Sequence, residues 1–106
     1  MSEWIRVADR YEIAPGEFRV VFDGDTPIAV FNIDGAFHAV EDTCTHDGGD
    51  LAGGCIEGHV IECPRHGARF DLRTGAVLAP PAVVPISVML VRVEDDAIWT
   101  RDPRND

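Results

Sequence analysis

Two short clusters of metal-binding side chains stand out in the middle of the chain. The first is Cys44-Thr45-His46; the second, separated from His46 by sixteen residues, is Cys63-Pro64-Arg65-His66. Thiolate and imidazole donors together suit zinc, copper or iron–sulfur chemistry. Their order narrows the choice. A zinc finger runs Cys, Cys, His, His, with roughly two to four residues inside the cysteine pair. Here each cluster supplies one Cys and one His. Two loops of that kind can put two thiolates on one metal ion and two imidazoles on another.

The rest of the chain must hold these two loops together. Turn signals recur at Asp23-Gly24-Asp25, Asp34-Gly35, Glu57-Gly58, Arg73-Thr74-Gly75 and Asp95-Asp96. Between them lie short runs rich in Val, Ile and Phe: Trp4–Ala8, Glu17–Phe22, Pro27–Ile33, Ala36–Glu41, Val60–Glu62, Ala68–Leu72, Ile86–Val93 and Ala97–Thr100. Short strands at this spacing predict an all-β domain, a small antiparallel β-sandwich or partly open barrel. No stretch has a sustained helical period, and Tyr11 to Gly16 holds a turn at most. The loops 43–54 and 64–67 interrupt the β pattern, and each carries or borders a Cys and a His. Ala79-Pro80-Pro81-Ala82 cannot lie inside a sheet, because proline lacks the ladder donor. The tail Arg101–Asp106 is polar and is expected to fray.

With 106 residues, the chain is expected to form one domain, residues 1–106, with the ligand loops in a subdomain of about 43–70. The formal net charge is −10, and all nine basic residues are arginine. Such a chain repels phosphate backbones and anionic lipid, so neither nucleic acid nor a membrane surface is an expected partner. Met1–Arg10 contains no apolar targeting core. Val83–Val91 is far shorter than the ~20 residues of a membrane helix. Three cysteines without a signal peptide argue against a disulfide framework. A cytoplasmic monomer is the expectation.

Cys44-Thr45-His46 and Cys63-Pro64-Arg65-His66-Gly67 resemble the two signature loops of Rieske [2Fe–2S] proteins. Ile28–Phe31, Phe37–Asp42, Ala68–Asp71 and Pro80-Pro81-Ala82 resemble the small ferredoxin components of bacterial aromatic-ring-hydroxylating dioxygenases. The resemblance spans nearly the whole chain. It implies a Rieske-type fold with a two-loop cluster-binding subdomain, and one [2Fe–2S] cluster per chain held by Cys44, His46, Cys63 and His66. It implies a one-electron carrier, not an enzyme. The partners would be an NAD(P)H-dependent ferredoxin reductase and a terminal oxygenase. The branch found in cytochrome bc complexes has a disulfide across the two loops and two hydroxyls that bond the cluster sulfurs. Gly49 and Arg65, and Ala68 and Phe70, stand at those positions here. Fewer donors imply a potential near the low end of the Rieske range, roughly −150 mV.

Other readings compete. The chain could be the small Rieske subunit of an assimilatory nitrite reductase, a zinc-stabilised interaction module, or a fragment of a terminal oxygenase. His38 and His59 read as half-exposed sheet residues, Cys55 as a small buried hydrophobe, and Trp4 and Trp99 as packing residues. Glu41, Asp42, Asp47 and Asp50 form either a docking surface beside the first loop or a merely solvated face. Arg65 is expected at an exposed loop tip.

Overall fold

The computed structural model describes residues 3–105. Among these residues ten short strands make three antiparallel sheets. The middle sheet has β2 (Phe18–Asp23), β3 (Thr26–Ile33) and β4 (Ala36–Glu41), with β3 at its centre. Beside it lies a sheet of β1 (Ile5–Asp9), β10 (Ala97–Arg101) and β9 (Leu90–Glu94), with β10 in the centre. The third sheet has β5 (Ile56–Glu57), β6 (Val60–Glu62), β7 (Arg69–Asp71) and β8 (Val77–Ala79) in that order.

Strand β3 explains how the sheets are joined. It is buried from Ile28 to Ile33, and its side chains alternate between two cores. Ile28 and Val30 pack with Val7, Ile13, Ala39, Met89 and Ile98. Ala29, Phe31 and Ile33 pack with Ile61, Phe70, Leu72 and both Cys44 and Cys63. A strand covered on both faces reads as a continuous apolar run, as Ile28-Ala29-Val30-Phe31 does. The middle sheet is thus the wall against which the cysteines are set. Ile61 faces Phe70 across the β6–β7 pair. Both side chains are fully buried, each contributing about 1.5–3 kcal/mol.

The strands foreseen from the sequence are present, with shifts at their ends. Two more, β5 and β8, have two and three residues. That is too short to show a period of two. The run Ile86–Val93 is strand only from Leu90; Val88 makes a single bridge to Val40. Pro85 and the neighbouring loop explain this, since Ile86 donates to the Gly75 carbonyl rather than to a strand. Near the start of the chain, Arg10–Glu12 forms one 3-10 turn. Among the described residues no helix is long and apolar enough to cross a membrane.

The tail does not fray as expected. Asp102 is buried, accepts a hydrogen bond from Thr26 Oγ1 at 3.0 Å and donates its own N–H to Asp23 Oδ2 at 2.8 Å. Arg104 bonds both carboxylate oxygens of Asp102 and reaches Glu41 at 2.9 Å. Polar residues here close a network over the β2–β3 turn; only Asp106 of the tail lies outside the described residues. The Arg104 guanidinium holds the Asp102 carboxyl down at about 2, against an ordinary 3.8. A depressed carboxyl contributes stability above its unfolded value, and that contribution disappears as pH falls from about 4 toward 2. Asp102→Asn is expected to cost about 1.5–3 kcal/mol at pH 7. The gap between the variant and the parent should narrow at pH 3, read from urea midpoints. An equal gap at both pH values would show that the carboxylate charge is not what holds the tail.

Candidate metal centre

The first loop leaves β4 and is wound around a buried carboxylate. Asp42 Oδ1 accepts from the N–H groups of Leu51 and Ala52, both at 2.8 Å. Inside that ring Cys44 donates its N–H to the Gly49 carbonyl, and Gly48 donates back to the Cys44 carbonyl, each at 2.7 Å. The second loop is the tip of the β6–β7 hairpin. It is closed by Cys63 N–H to the Ala68 carbonyl at 2.7 Å and Gly67 N–H to the Cys63 carbonyl at 3.2 Å. A third segment lies against the first loop, where Thr45 Oγ1 donates to the Val84 carbonyl.

These turns sort the four donors by depth. Cys44 and Cys63 are 0% and 1% exposed, inside the core. His46 and His66 are exposed at the tip, with ring centroids 5.0 Å apart and planes at 84°. Ligand atoms of Cys44, Cys63 and Asp47 lie within 4.8 Å of one another, as do those of His46, His66 and Asp47. Asp47 stands between the sulfur side and the imidazole side.

Asp47 is the centre of a further set of contacts. Arg65 Nε meets Asp47 Oδ2 at 2.6 Å and Arg65 Nη2 meets Oδ1 at 3.0 Å, a two-pronged pairing. Gly49 N–H donates to the same carboxylate at 2.9 Å, and His66 Nδ1 is 3.3 Å from Oδ2. Arg65 Nη2 also lies 3.3 Å from Cys63 Sγ. The guanidinium holds the Asp47 carboxyl far below its ordinary range, and the carboxylate raises Arg65 in turn.

The donor set fits a metal group. Burial pushes the Cys44 thiol up, with the N–H groups of His46 and Asp47 pulling the other way. A thiolate so placed is stabilised when a metal cation neutralises it. Two buried sulfurs and two exposed imidazoles match a group with one thiolate-bound and one imidazole-bound iron. The family model of the Rieske [2Fe–2S] domain matches residues 3–94.

The chain belongs to the Rieske [2Fe–2S] family. It takes one [2Fe–2S] cluster. Similar Rieske ferredoxins include ferredoxin CarAc of Metapseudomonas resinovorans, 38% identical over 97 residues, covering 91% of each chain. The ferredoxin component of biphenyl 2,3-dioxygenase from Rhodococcus jostii is 39% identical over 93 residues, covering 88% of this chain and 87% of its own. In the solved carbazole 1,9a-dioxygenase complex of reduced oxygenase and oxidised ferredoxin, one chain superposes with a TM-score of 0.90 at 36% identity. The match covers 96% of this chain and 95% of that one. Like these ferredoxins, the chain carries electrons and is not itself a catalyst. That family identity overturns the zinc-module reading. A nitrite reductase small subunit from Mycobacterium tuberculosis, at 24% identity and a TM-score of 0.83, shares the fold.

Other side chains depart from their sequence readings. Cys55 is exposed, not buried. It precedes β5 on the outer side of the third sheet and lines a shallow cleft with Glu57, Val60, Glu62 and Arg69. His59 sits in the β5–β6 turn rather than a strand, its ring edge-on to His38 at 5.3 Å. Burial, then His59, lowers the His38 imidazole. The four acidic residues do not form one open face. Asp42 is buried in the loop, Glu41 is paired with Arg104 and Asp47 with Arg65; Asp50 is exposed. Arg65 is at the tip as expected, with 36% of its side chain exposed. The Asp47–Arg65 pairing was missed, because nothing local in the sequence joins residues 18 apart.

Proposed function

We propose that Cys44, His46, Cys63 and His66 hold the [2Fe–2S] cluster, and that this chain passes single electrons between two proteins of an aromatic-ring dioxygenase system. The donor is an NAD(P)H-dependent ferredoxin reductase and the acceptor is the terminal oxygenase. When bound, the cluster supplies a site that gains or loses one electron at a time. The observation that carries this reading is the depth ordering: both thiols buried, both imidazoles at the surface. Cys44 and Cys63 anchor the group in the core and keep water from the sulfurs. His46 and His66 present imidazole edges at which a partner's cofactor can come close. Three cysteines free of disulfides fit the reducing cytoplasm, where we place the chain.

The surface around the imidazoles supports a small, short-lived complex. Val83 and Val84 are 87% and 53% exposed, and Val84 is tied to the first ligand loop through Thr45. The close contact is therefore apolar, while the net charge of −10 acts at longer range on a basic partner. Stopped-flow reduction of the holoprotein by such a reductase, followed by electron delivery to the oxygenase, tests both parts. Raising salt from about 20 to about 300 mM shortens the Debye length from roughly 20 Å to under 6 Å, and the second-order rate should fall several-fold. Val84→Asp should lower it about tenfold at constant cluster content. Rates insensitive to both changes would place docking elsewhere, and a chain that neither accepts nor delivers electrons would end the proposal.

A further inference from the structure

The two ligand loops have to be held in register, and the backbone does not do it. Among the described residues no backbone hydrogen bond joins 43–50 to 63–68; each loop closes on itself. No covalent link joins them either, since all three cysteines are free. What crosses the gap is the Asp47 carboxylate, which meets Arg65 in a fork with bonds of 2.6 and 3.0 Å and has His66 Nδ1 3.3 Å from its Oδ2. Exposed single ion pairs contribute little, but this one is two-pronged and its carboxylate side chain is only 18% exposed. A further bond from Gly49 N–H fixes the carboxylate on its own loop.

We propose that Asp47 and Arg65 are positioning residues that form the tie between the two ligand loops, and that the same guanidinium raises the reduction potential by donating to the Cys63 sulfur. The inference rests on the ligand assignment proposed above. Arg65 lies between the two ligands of its loop, and Nη2 is shared between Asp47 Oδ1 at 3.0 Å and Cys63 Sγ at 3.3 Å. The carboxylate thus aims the guanidinium at the sulfur. On one-electron reduction the ligand sulfur gains negative charge, so a cationic donor favours the reduced state.

Gly49 is part of the same device. A Cβ at this position would sit 2.5 Å from Arg65 Cζ and 2.6 Å from Nη2. Only a residue without a side chain lets the guanidinium lie across the first loop. The atoms in conflict are the flexible end of Arg65, so Gly49→Ala displaces the fork without changing any charge or the backbone.

The test uses holoprotein, with iron and sulfide content measured first. Two readouts follow: the midpoint potential by protein-film voltammetry, and the rate of visible bleaching in excess iron chelator. Arg65→Leu should bleach about tenfold or more faster. Its reduced-to-oxidised ratio at fixed solution potential should fall about tenfold, which is 59 mV for a one-electron couple. Gly49→Ala should move both quantities in the same direction by less, and it stands in for Arg65→Leu if that variant does not fold. Asp47→Ala, which also gives up the Gly49 and His66 contacts, should bleach at least as fast as Arg65→Leu, and the double variant Asp47→Ala with Arg65→Leu at about the rate of Asp47→Ala alone, because one tie can be lost only once. Bleaching rates that multiply in the double variant would overturn the tie. A potential unchanged in both Arg65→Leu and Gly49→Ala would overturn the tuning role. Parent protein without two irons and two sulfides would instead end the ligand assignment on which the tie depends.

Discussion

Replacing His66 with cysteine should leave a coloured protein whose midpoint potential has dropped by on the order of 100 mV, whereas Cys63→Ala should leave no colour at all. The first result follows from charge. Two ferric ions, two sulfides and two thiolates sum to zero when both imidazoles are neutral. A third thiolate makes the oxidised centre an anion, and adding an electron to an anion is harder. All-cysteine plant-type centres lie near about −400 mV, against about −150 mV or higher for Rieske centres, so one exchanged ligand should cover a substantial part of that gap. His66 is exposed at the loop tip, so cysteine can be accommodated there without repacking the core. Cys63 is the opposite case. It is 1% exposed and packed among Ile61, Ala68 and Phe70, and no other described sulfur in that core can take its place beside Cys44. Cys55→Ser is the control. Cys55 opens onto the outer cleft of the third sheet, so iron content and potential should stay as they were. Iron lost from Cys55→Ser but retained in His66→Ala would show that the ligands have been misassigned.

The same contrast between core and surface explains which features could be read from the sequence. The four proposed ligands stand out in the sequence because the pattern Cys-x-His and Cys-x-x-His is local and chemically restrictive. The all-β fold was legible because β3 carries the unbroken apolar run Ile28–Phe31 and β4 is a short Ala, Phe and Val-rich segment, both set between turn residues. What escaped depends on partners distant in the chain. Asp42 reads as an exposed acid, yet its carboxylate is spent on N–H groups nine and ten residues away. Asp102 reads as part of a loose tail, yet it meets Thr26 across 76 residues. Cys55 was expected inside because free cysteines usually are. The two-residue strand after it, Ile56–Glu57, gives no pattern from which to tell which side of the sheet Cys55 would face.

Gly54→Ala should be the most damaging single methyl that can be added to the ligand region. The end of the first loop crosses β6 so closely that a Cβ on Gly54 would lie 2.0 Å from the backbone oxygen of Glu62 and 3.1 Å from that of Leu51. Glu62 immediately precedes Cys63, and its N–H already donates to the Cys55 carbonyl at 2.9 Å. Unlike a side-chain tip, a strand carbonyl cannot swing aside. The methyl must therefore push the first loop away from β6, and with it Cys44 away from Cys63. Overpacking of a tight core costs about 1–3 kcal/mol when side chains can adjust. A clash with backbone on both sides should reach or exceed the top of that range, and most of the bound iron should be lost. Gly53→Ala isolates the cause. Gly53 has φ +94 with nothing within 4 Å of its would-be Cβ, so that variant suffers conformational strain of roughly 1–2 kcal/mol and keeps its cluster. Urea midpoints and iron per chain, measured on both variants, separate the two effects. If Gly54→Ala retains two irons and the parent midpoint, contact between the first loop and β6 is not what sets the spacing of the two sulfurs.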